Sequence, residues 1–149
     1  MNRLHGAWLA LSLAAAAPVT QAGVYADDLG KCLVSSTSDA DRALMVKWMF
    51  AAMSLNSQVA SFVNMPTEVR DQLNRDTAQL YLRLMTEKCR TQTRDAANYE
   101  GGTAIEAAFR LLGQVAALEM FKDPAVQEGM GSLEKYFDQD KLKAVLEEK

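Results

Sequence analysis

The spacing of the apolar residues is the feature that most restricts the fold of this 149-residue chain. Between residues 23 and 149, apolar side chains recur every three or four positions, and the Val, Ile and Thr runs typical of strands are missing. Only two prolines, Pro66 and Pro124, interrupt this part of the chain. The pattern predicts an all-α protein, with residues 23–149 forming one antiparallel helical bundle of five or six helices.

Capping residues and helix breakers predict where the helices begin and end. A first helix is predicted over residues 25–34, and a second over residues 39–55, opened by a capping box of Ser38 and Asp41. A brief helical turn is predicted over 58–63, and a third helix over 67–90 whose extension to 98 stays open. A fourth helix is predicted over 103–122, with Thr103 and Glu106 as a second capping box. A fifth helix begins at Pro124 after the cap Asp123, and Asp138 opens a terminal helix.

The second helix is apolar over most of its circumference, with a polar strip only at positions 43, 47 and 54. Such a helix belongs at the centre of a bundle, or is covered by a second copy of the chain. Its candidate ligand or partner face consists of Met45, Trp48, Met49, Phe50 and Met53. The three methionines share one stripe, which favours core packing and leaves Cu(I) binding as an alternative. Core burial is likewise favoured over partner binding for the tryptophan.

The first 22 residues have the pattern of a cleaved signal peptide. Arg3 is followed by an apolar run over residues 6–17, broken only by Ser12, which is shorter than the ~20 residues of a membrane span. Small residues at Thr20 and Ala22 match what a signal peptidase reads. We predict cleavage after Ala22, with Ala26 as the alternative site, and a periplasmic or secreted protein without a membrane span. A buried N-terminal helix is the other interpretation of this segment.

Two cysteines, Cys32 and Cys89, remain in the predicted mature chain. In an oxidising compartment an even pair favours a disulfide, which would close a loop of about 58 residues. A reactive thiol pair and an intermolecular bridge are the alternatives, although the C-x-x-C spacing of redox dithiols is missing.

The residue inventory argues against most catalytic and metal chemistry. The only histidine, His5, lies in the predicted signal peptide, which removes Ser-His-Asp and Cys-His arrangements and most zinc and copper sites. Asp138 and Asp140 resemble the start of an EF-hand loop, but its other oxygen ligands and its glycine are missing. The paired carboxylates all fall at predicted helix starts, where they can accept hydrogen bonds from free backbone N–H groups instead of serving catalysis. The pairs are Asp27/Asp28, Asp39/Asp41 and Asp138/Asp140. We therefore predict no catalytic, cofactor-binding or metal residue.

The charge balance bears on the partners. Removing residues 1–22 takes away only Arg3, so that 15 of the 16 basic residues face 19 acidic ones, a net charge of −4. An acidic chain without basic clusters argues against nucleic acid and against anionic membrane surfaces.

Several segments resemble those of small secreted helical proteins of proteobacteria. The segments are residues 28–34, 48–53, 112–116 and 133–136, together with Asp123-Pro124. The resemblance implies a bacterial, exported protein. Since no activity is assigned to that group, it carries over no functional residue.

Three function classes remain. We favour a non-enzymatic, protein-binding module of the cell envelope, of the immunity, inhibitor or accessory-subunit type, whose partner is an envelope protein or a second copy of the chain. The alternative is a carrier of a small apolar ligand, held in a bundle cavity lined by the methionine stripe and Phe50. An enzyme relying on carboxylates, Lys or Tyr ranks third.

Overall fold

The computed structural model describes residues 23–147, and the predicted signal peptide lies outside them. The described residues form seven α-helices and no strand, which confirms the all-α class. None of these helices combines the length and hydropathy that a membrane span requires. The helices are α1 (Val24–Ser35), α2 (Asp39–Met53), α3 (Thr67–Arg83), α4 (Arg90–Tyr99), α5 (Gly102–Phe121), α6 (Pro124–Gly131) and α7 (Gln139–Glu147). The connections include 3₁₀ turns at Ala60–Phe62 and Ser132–Tyr136, and a π-helical turn at Leu84–Lys88.

The core is centred on the contact between α1 and α5. Leu29 and Leu33 of α1 and Leu112 of α5 are fully buried there. Gly30 allows the two helices to approach closely, because a β-carbon at this position would lie 2.9 Å from Leu111 Cδ2 and 3.6 Å from the α-carbon of Ala108. The small buried residues Ala104, Ala108 and Ala116 of α5 also allow a close approach, and α1 is the helix with which α5 makes its most extensive contact.

The prediction that α2 lies at the centre is wrong. Among its apolar side chains only Met45 and Ala51 are buried, whereas Phe50 and Met53 are about half exposed. α2 packs on α3 and α5 along one side, and no other described helix covers its opposite side. The helix is apolar over most of its circumference, but only the side that packs on α3 and α5 is buried.

Cys32 and Cys89 form a disulfide, with 5.8 Å between their α-carbons, as predicted. The bridge fastens the C-terminal half of α1 to the residue that immediately precedes α4. Closing a loop of this length stabilises the folded state by about 4 kcal/mol in the chain-entropy model.

The other end of α1 is attached to the residues that end α4. Glu100 accepts hydrogen bonds from the backbone N–H groups of Tyr25 and Ala26, each at 3.0 Å. The ring of Tyr25 stacks on that of Tyr99, with centroids 4.7 Å apart. Residues on the two sides of α4 thus hold α1 at both of its ends.

Two of the predicted helix starts are confirmed in atomic detail. Ser38 Oγ accepts from the N–H of Asp41 at 3.2 Å, while the Asp41 carboxylate accepts from the N–H of Ser38 at 2.9 Å. Asp123 accepts from the N–H of Ala125 at 2.8 Å and precedes a proline in the first turn of α6. Both caps satisfy backbone donors that have no partner within the helix.

The second predicted capping box is wrong. α5 begins at Gly102, one residue before the predicted cap Thr103, because Gly101 adopts a positive φ of 77° and leads directly into the helix. The Thr103 hydroxyl instead donates to the carbonyl of Glu100 at 3.3 Å. Glu106 pairs with Arg110 one turn along the same helix, at 3.0 Å.

The predicted third helix, residues 67–90, is divided in the structure. Regular α-helix ends at Arg83, and the N–H of Cys89 bonds to the carbonyl of Leu84 at 2.8 Å, which is π-helical spacing. α4 then begins at Arg90. This division is why seven helices are present where five or six were expected.

The C-terminal segment, defined here as residues 122–147, contributes nothing to the buried core. α6 contacts the end of α5, whereas α7 packs on no other described element. The predicted start of α7 is supported by Asp138, which accepts from the N–H of Lys141 at 3.1 Å. Hydrogen bonds from the backbone and side chain of Lys141 hold the pKa of Asp138 below its ordinary value.

Candidate functional site

The five candidate residues of α2 differ widely in burial. Met45 is buried in the core, and Met49 is partly buried against it. Phe50 and Met53 are 47% and 53% exposed. The methionine stripe therefore runs from the core to the surface, and its three side chains lie at different depths.

Trp48 is fixed against α3. Its indole Nε1 donates to Asn74 Oδ1 at 3.0 Å, and its ring meets Tyr81 edge to face at 6.1 Å. Tyr81 in turn contacts Phe109 of α5, with centroids 4.8 Å apart. Burial raises the pKa of Tyr81 above its ordinary value. The contacts of Trp48 with Tyr81 and of Tyr81 with Phe109 join α2, α3 and α5, so Trp48 contributes to the packing of the fold.

The described residues do not bring metal-ligating groups together. Both cysteines are in the disulfide, so neither supplies a thiolate. Between residues 23 and 147, no three His, Cys, Asp or Glu side chains are grouped so that they could hold an ion.

A row of exposed apolar side chains follows the exposed residues of α2 into the connection to α3. We call it the apolar α2 end, and it consists of Phe50, Met53, Leu55, Val59 and Phe62. Phe62 is 83% exposed and Leu55 is 63% exposed, so neither is part of the described core. No charged residue occurs between Lys47 and Glu68.

Sequence reasoning missed most of the apolar α2 end. It singled out Phe50 and Met53 for their place in an apolar helix, but not Leu55, Val59 or Phe62. A signal was present, because a long stretch without charge next to a helix is unusual on a protein surface. The interface cores of proteins are depleted of charged residues in the same way.

The C-terminal segment carries a second set of exposed apolar side chains. They are Met130, Leu133, Tyr136, Phe137, Leu142, Val145 and Leu146. The apolar residues of α7 lie three and four positions apart, whereas its charged residues pair along the helix, as Lys143 does with Glu147 at 3.9 Å. The segment therefore presents an amphipathic helix with no described neighbour.

A cleft of about 430 Å³ opens between the start of α2, the end of α5 and α6. Its lining residues are Asp39, Arg42, Ala43, Val46, Lys47, Glu119, Met120, Asp123 and Val126. Arg42 donates to the carbonyl of Thr37 at 2.9 Å, pairs with Asp39, and lies 3.7 Å from Glu119. The four residues proposed to line a carrier cavity, Met45, Met49, Phe50 and Met53, are not among those that line this cleft.

The carboxylates of the predicted acidic pairs serve caps and ion pairs. Asp28 lies 3.9 Å from Lys31 on α1. Asp41 caps α2 and also accepts from Arg83 of α3 at 2.7 Å. Desolvation raises the pKa of Asp41, but hydrogen bonds from Ser38 and the charge of Arg83 outweigh it and leave the pKa below its ordinary value. These groups are thus positioned to stabilise helix starts.

Comparison with protein-family models, with curated proteins and with solved structures finds no match for this chain. A functional proposal therefore depends on the geometry described above.

Proposed function

We propose that this chain is a non-enzymatic, protein-binding module of the bacterial cell envelope, of the immunity, inhibitor or accessory-subunit type. The observation that carries the proposal is the uncovered apolar α2 end. Phe62 and Leu55 project from a stretch without charged residues, next to a helix whose other side packs in the core. Contiguous exposed apolar patches on small proteins mark interaction sites.

The chemistry of the apolar α2 end fits a protein partner. Aromatic and methionine side chains are enriched in the centres of interfaces, and charged residues are depleted there. Phe50, Met53 and Phe62 supply such side chains on one short part of the chain. The matching surface is an apolar patch or groove on an envelope protein, bordered by polar groups.

Export is part of the proposal. Arg3, the apolar run that follows it and the small residues before Gly23 support a signal peptide that is removed. The disulfide supports a final location in an oxidising compartment, the periplasm or the exterior. We also propose that the helices form an antiparallel bundle, which is supported by the packing of α1 on α4 and α5 and of α2 on α3 and α5.

The test is site-specific photocrosslinking in the periplasm of the native bacterium. A photoreactive amino acid at Phe62 should give one discrete crosslinked protein. The same group at Leu82, an apolar residue of α3 that is 57% exposed and lies outside the apolar α2 end, is the matched control.

The partner is then purified and mixed with the mature chain. We expect a stoichiometric complex that is lost with Phe62→Ser and with Leu55→Ser but kept with Leu82→Ser. Equal binding by all variants would contradict the proposal. Light scattering could instead show that the mature chain is a homodimer, which Phe62→Ser converts to a monomer. In that case the partner would be a second copy of the chain and not an envelope protein.

A carrier of a small apolar ligand is the second candidate, supported by the cleft beside α2. Its volume lies within the range of small-molecule sites, and Val46, Met120 and Val126 give it apolar walls. Native mass spectrometry of the periplasmic protein should then show a bound small molecule that is lost with Val46→Trp. Recovery of the mature chain alone, with no added mass, would contradict this candidate.

A further inference from the structure

The first helix of the described structure has no cap of its own. Its N-cap residue is Gly23, which lacks a side chain, so the N–H groups of Tyr25 and Ala26 would have no partner near in sequence. The carboxylate of Glu100, 75 positions from Tyr25, takes that place and accepts from both N–H groups at 3.0 Å.

Glu100 lies directly against the α-carbon of Gly23. A β-carbon built at Gly23 would overlap both oxygens of this carboxylate, so a larger residue there would push the Glu100 side chain aside. The amino nitrogen of Gly23 is bonded to that same α-carbon, so a charge on it would lie within about 5 Å of the Glu100 carboxylate, a separation at which opposite charges favour each other. Among the described residues, no Lys or Arg forms a salt bridge with Glu100.

We propose that Gly23 is the first residue of the mature chain, and that its α-ammonium group forms an ion pair with Glu100. Hydrolysis of the Ala22–Gly23 peptide bond by an envelope signal peptidase consumes one water. It leaves a carboxylate on Ala22 and an amine on Gly23, which is protonated at neutral pH. The inference rests on the export proposed above and is independent of the binding partner.

The charges explain why Glu100 suits this position. The N-terminus of a helix carries a partial positive charge, and a free ammonium placed there adds to it. A carboxylate that contacts the ammonium and two helix N–H groups offsets both charges. Processing would thus supply the cation that faces Glu100.

The structure also separates the two cleavage sites left open by the sequence. Ala26 is 3% exposed, and Tyr25 stacks on Tyr99. The N–H of Asp27 bonds to the carbonyl of Gly23 at 3.0 Å, which closes the first turn of α1. Cleavage after Ala26 would remove this turn and leave Glu100 without either N–H partner, whereas cleavage after Ala22 retains all of these contacts.

The first measurement is the intact mass and N-terminal sequence of the protein recovered from the periplasm. We expect a chain that begins at Gly23 and contains 127 residues, the 149 of the sequence less the first 22. A chain beginning at Asp27, or one that retains residues 1–22, would overturn the inference. Only the second of these outcomes would also contradict the proposed export by cleavage.

The second measurement tests the ion pair with a thermodynamic cycle on the full mature chain. Glu100→Gln is compared in the protein with a free α-amine and in the same protein with that amine acetylated. The loss of a helix hydrogen bond is common to both forms and cancels. We expect Glu100→Gln to lower the folding equilibrium constant about fivefold more in the free-amine form.

Glu106→Gln is the matched control, because Glu106 is exposed and pairs with Arg110 of its own helix. Its effect should be the same with and without acetylation. Equal losses for Glu100→Gln in the two forms would overturn the ion pair even if the chain begins at Gly23.

Discussion

The guanidinium of Arg83 donates to the carboxylate of Asp41 at 2.7 Å, across 42 positions of the chain. Asp41 belongs to the first turn of α2 and Arg83 ends α3, so the contact fastens the start of one helix to the end of the other. Only 16% of the Asp41 side chain is exposed, compared with 43% for Arg83. The same carboxylate completes the capping box with Ser38, and one side chain thus serves both local and tertiary structure.

Asp41 makes part of the stability dependent on pH. Since the pKa of Asp41 in the folded protein is below its ordinary value, the unfolded chain binds the proton more readily, and the stabilisation is lost as pH falls through the folded pKa. Asp41→Asn should lower the free energy of unfolding by roughly 1 kcal/mol at pH 7, and the difference should shrink at pH 3. Urea denaturation at both pH values measures this. Asp71→Asn on the exposed surface of α3 is the control, and an Asp41→Asn deficit that stays constant with pH would contradict the prediction.

Removing the disulfide should have the largest single effect on stability. Cys89→Ser should lower the free energy of unfolding by roughly 2–5 kcal/mol, because the bridge restricts the unfolded chain and Cys89 is fully buried. Thermal or urea unfolding provides the measurement. Reduced wild-type protein is the control, because it lacks the bridge without burying a serine hydroxyl. Two free thiols in untreated mature protein, or an unchanged melting temperature, would be incompatible with the bridge.

The cap of α2 predicts a difference between two neighbouring serines. Ser38→Ala should lower the free energy of unfolding by about 1 kcal/mol, because the N–H of Asp41 loses its acceptor. Ser35→Ala is the control, since the Ser35 hydroxyl donates only to Cys32 O of its own helix, and we expect a change within about 0.5 kcal/mol. Similar losses for the two variants in urea denaturation would contradict the capping role.

The contact between α1 and α5 predicts opposite outcomes at two glycines. Gly30→Val should lower the free energy of unfolding by about 1–3 kcal/mol, because the added atoms meet Leu111 and the backbone of Ala108. Gly113→Ala should raise it by about 0.5–1 kcal/mol, since a β-carbon there meets nothing within 4 Å and alanine favours the helix. Thermal unfolding distinguishes the two variants. A stabilised Gly30→Val protein would show that the helices can separate at no cost.

Sequence reasoning succeeded where the chemistry is local. The caps at Ser38 and Asp123 depend on residues two or three positions away, so the sequence alone was enough to predict them. Thr103 and Glu106 have the same spacing, but the positive φ of Gly101 starts α5 earlier and leaves Thr103 inside the helix. A capping pattern therefore predicts a helix start only when the preceding backbone permits it.

The remaining differences come from contacts between distant parts of the chain. The apolar circumference of α2 predicted a central position, but burial depends on which helices lie alongside, and α6 and α7 leave its outer side uncovered. The fit of Glu100 against Gly23 connects residues more than 70 positions apart and has no local pattern. The candidate surface was found in part, at Phe50 and Met53, because those residues lie in a recognisable helix.

The π-helical turn at Leu84–Lys88 sets the angular phase of α4. Each residue advances an α-helix by about 100°, so deleting one residue from this turn would rotate everything beyond it by roughly that angle. Cys89 and Glu100, which hold the two ends of α1, both lie beyond the turn. A one-residue deletion would therefore remove both attachments of α1 at once, although neither attached residue had been changed.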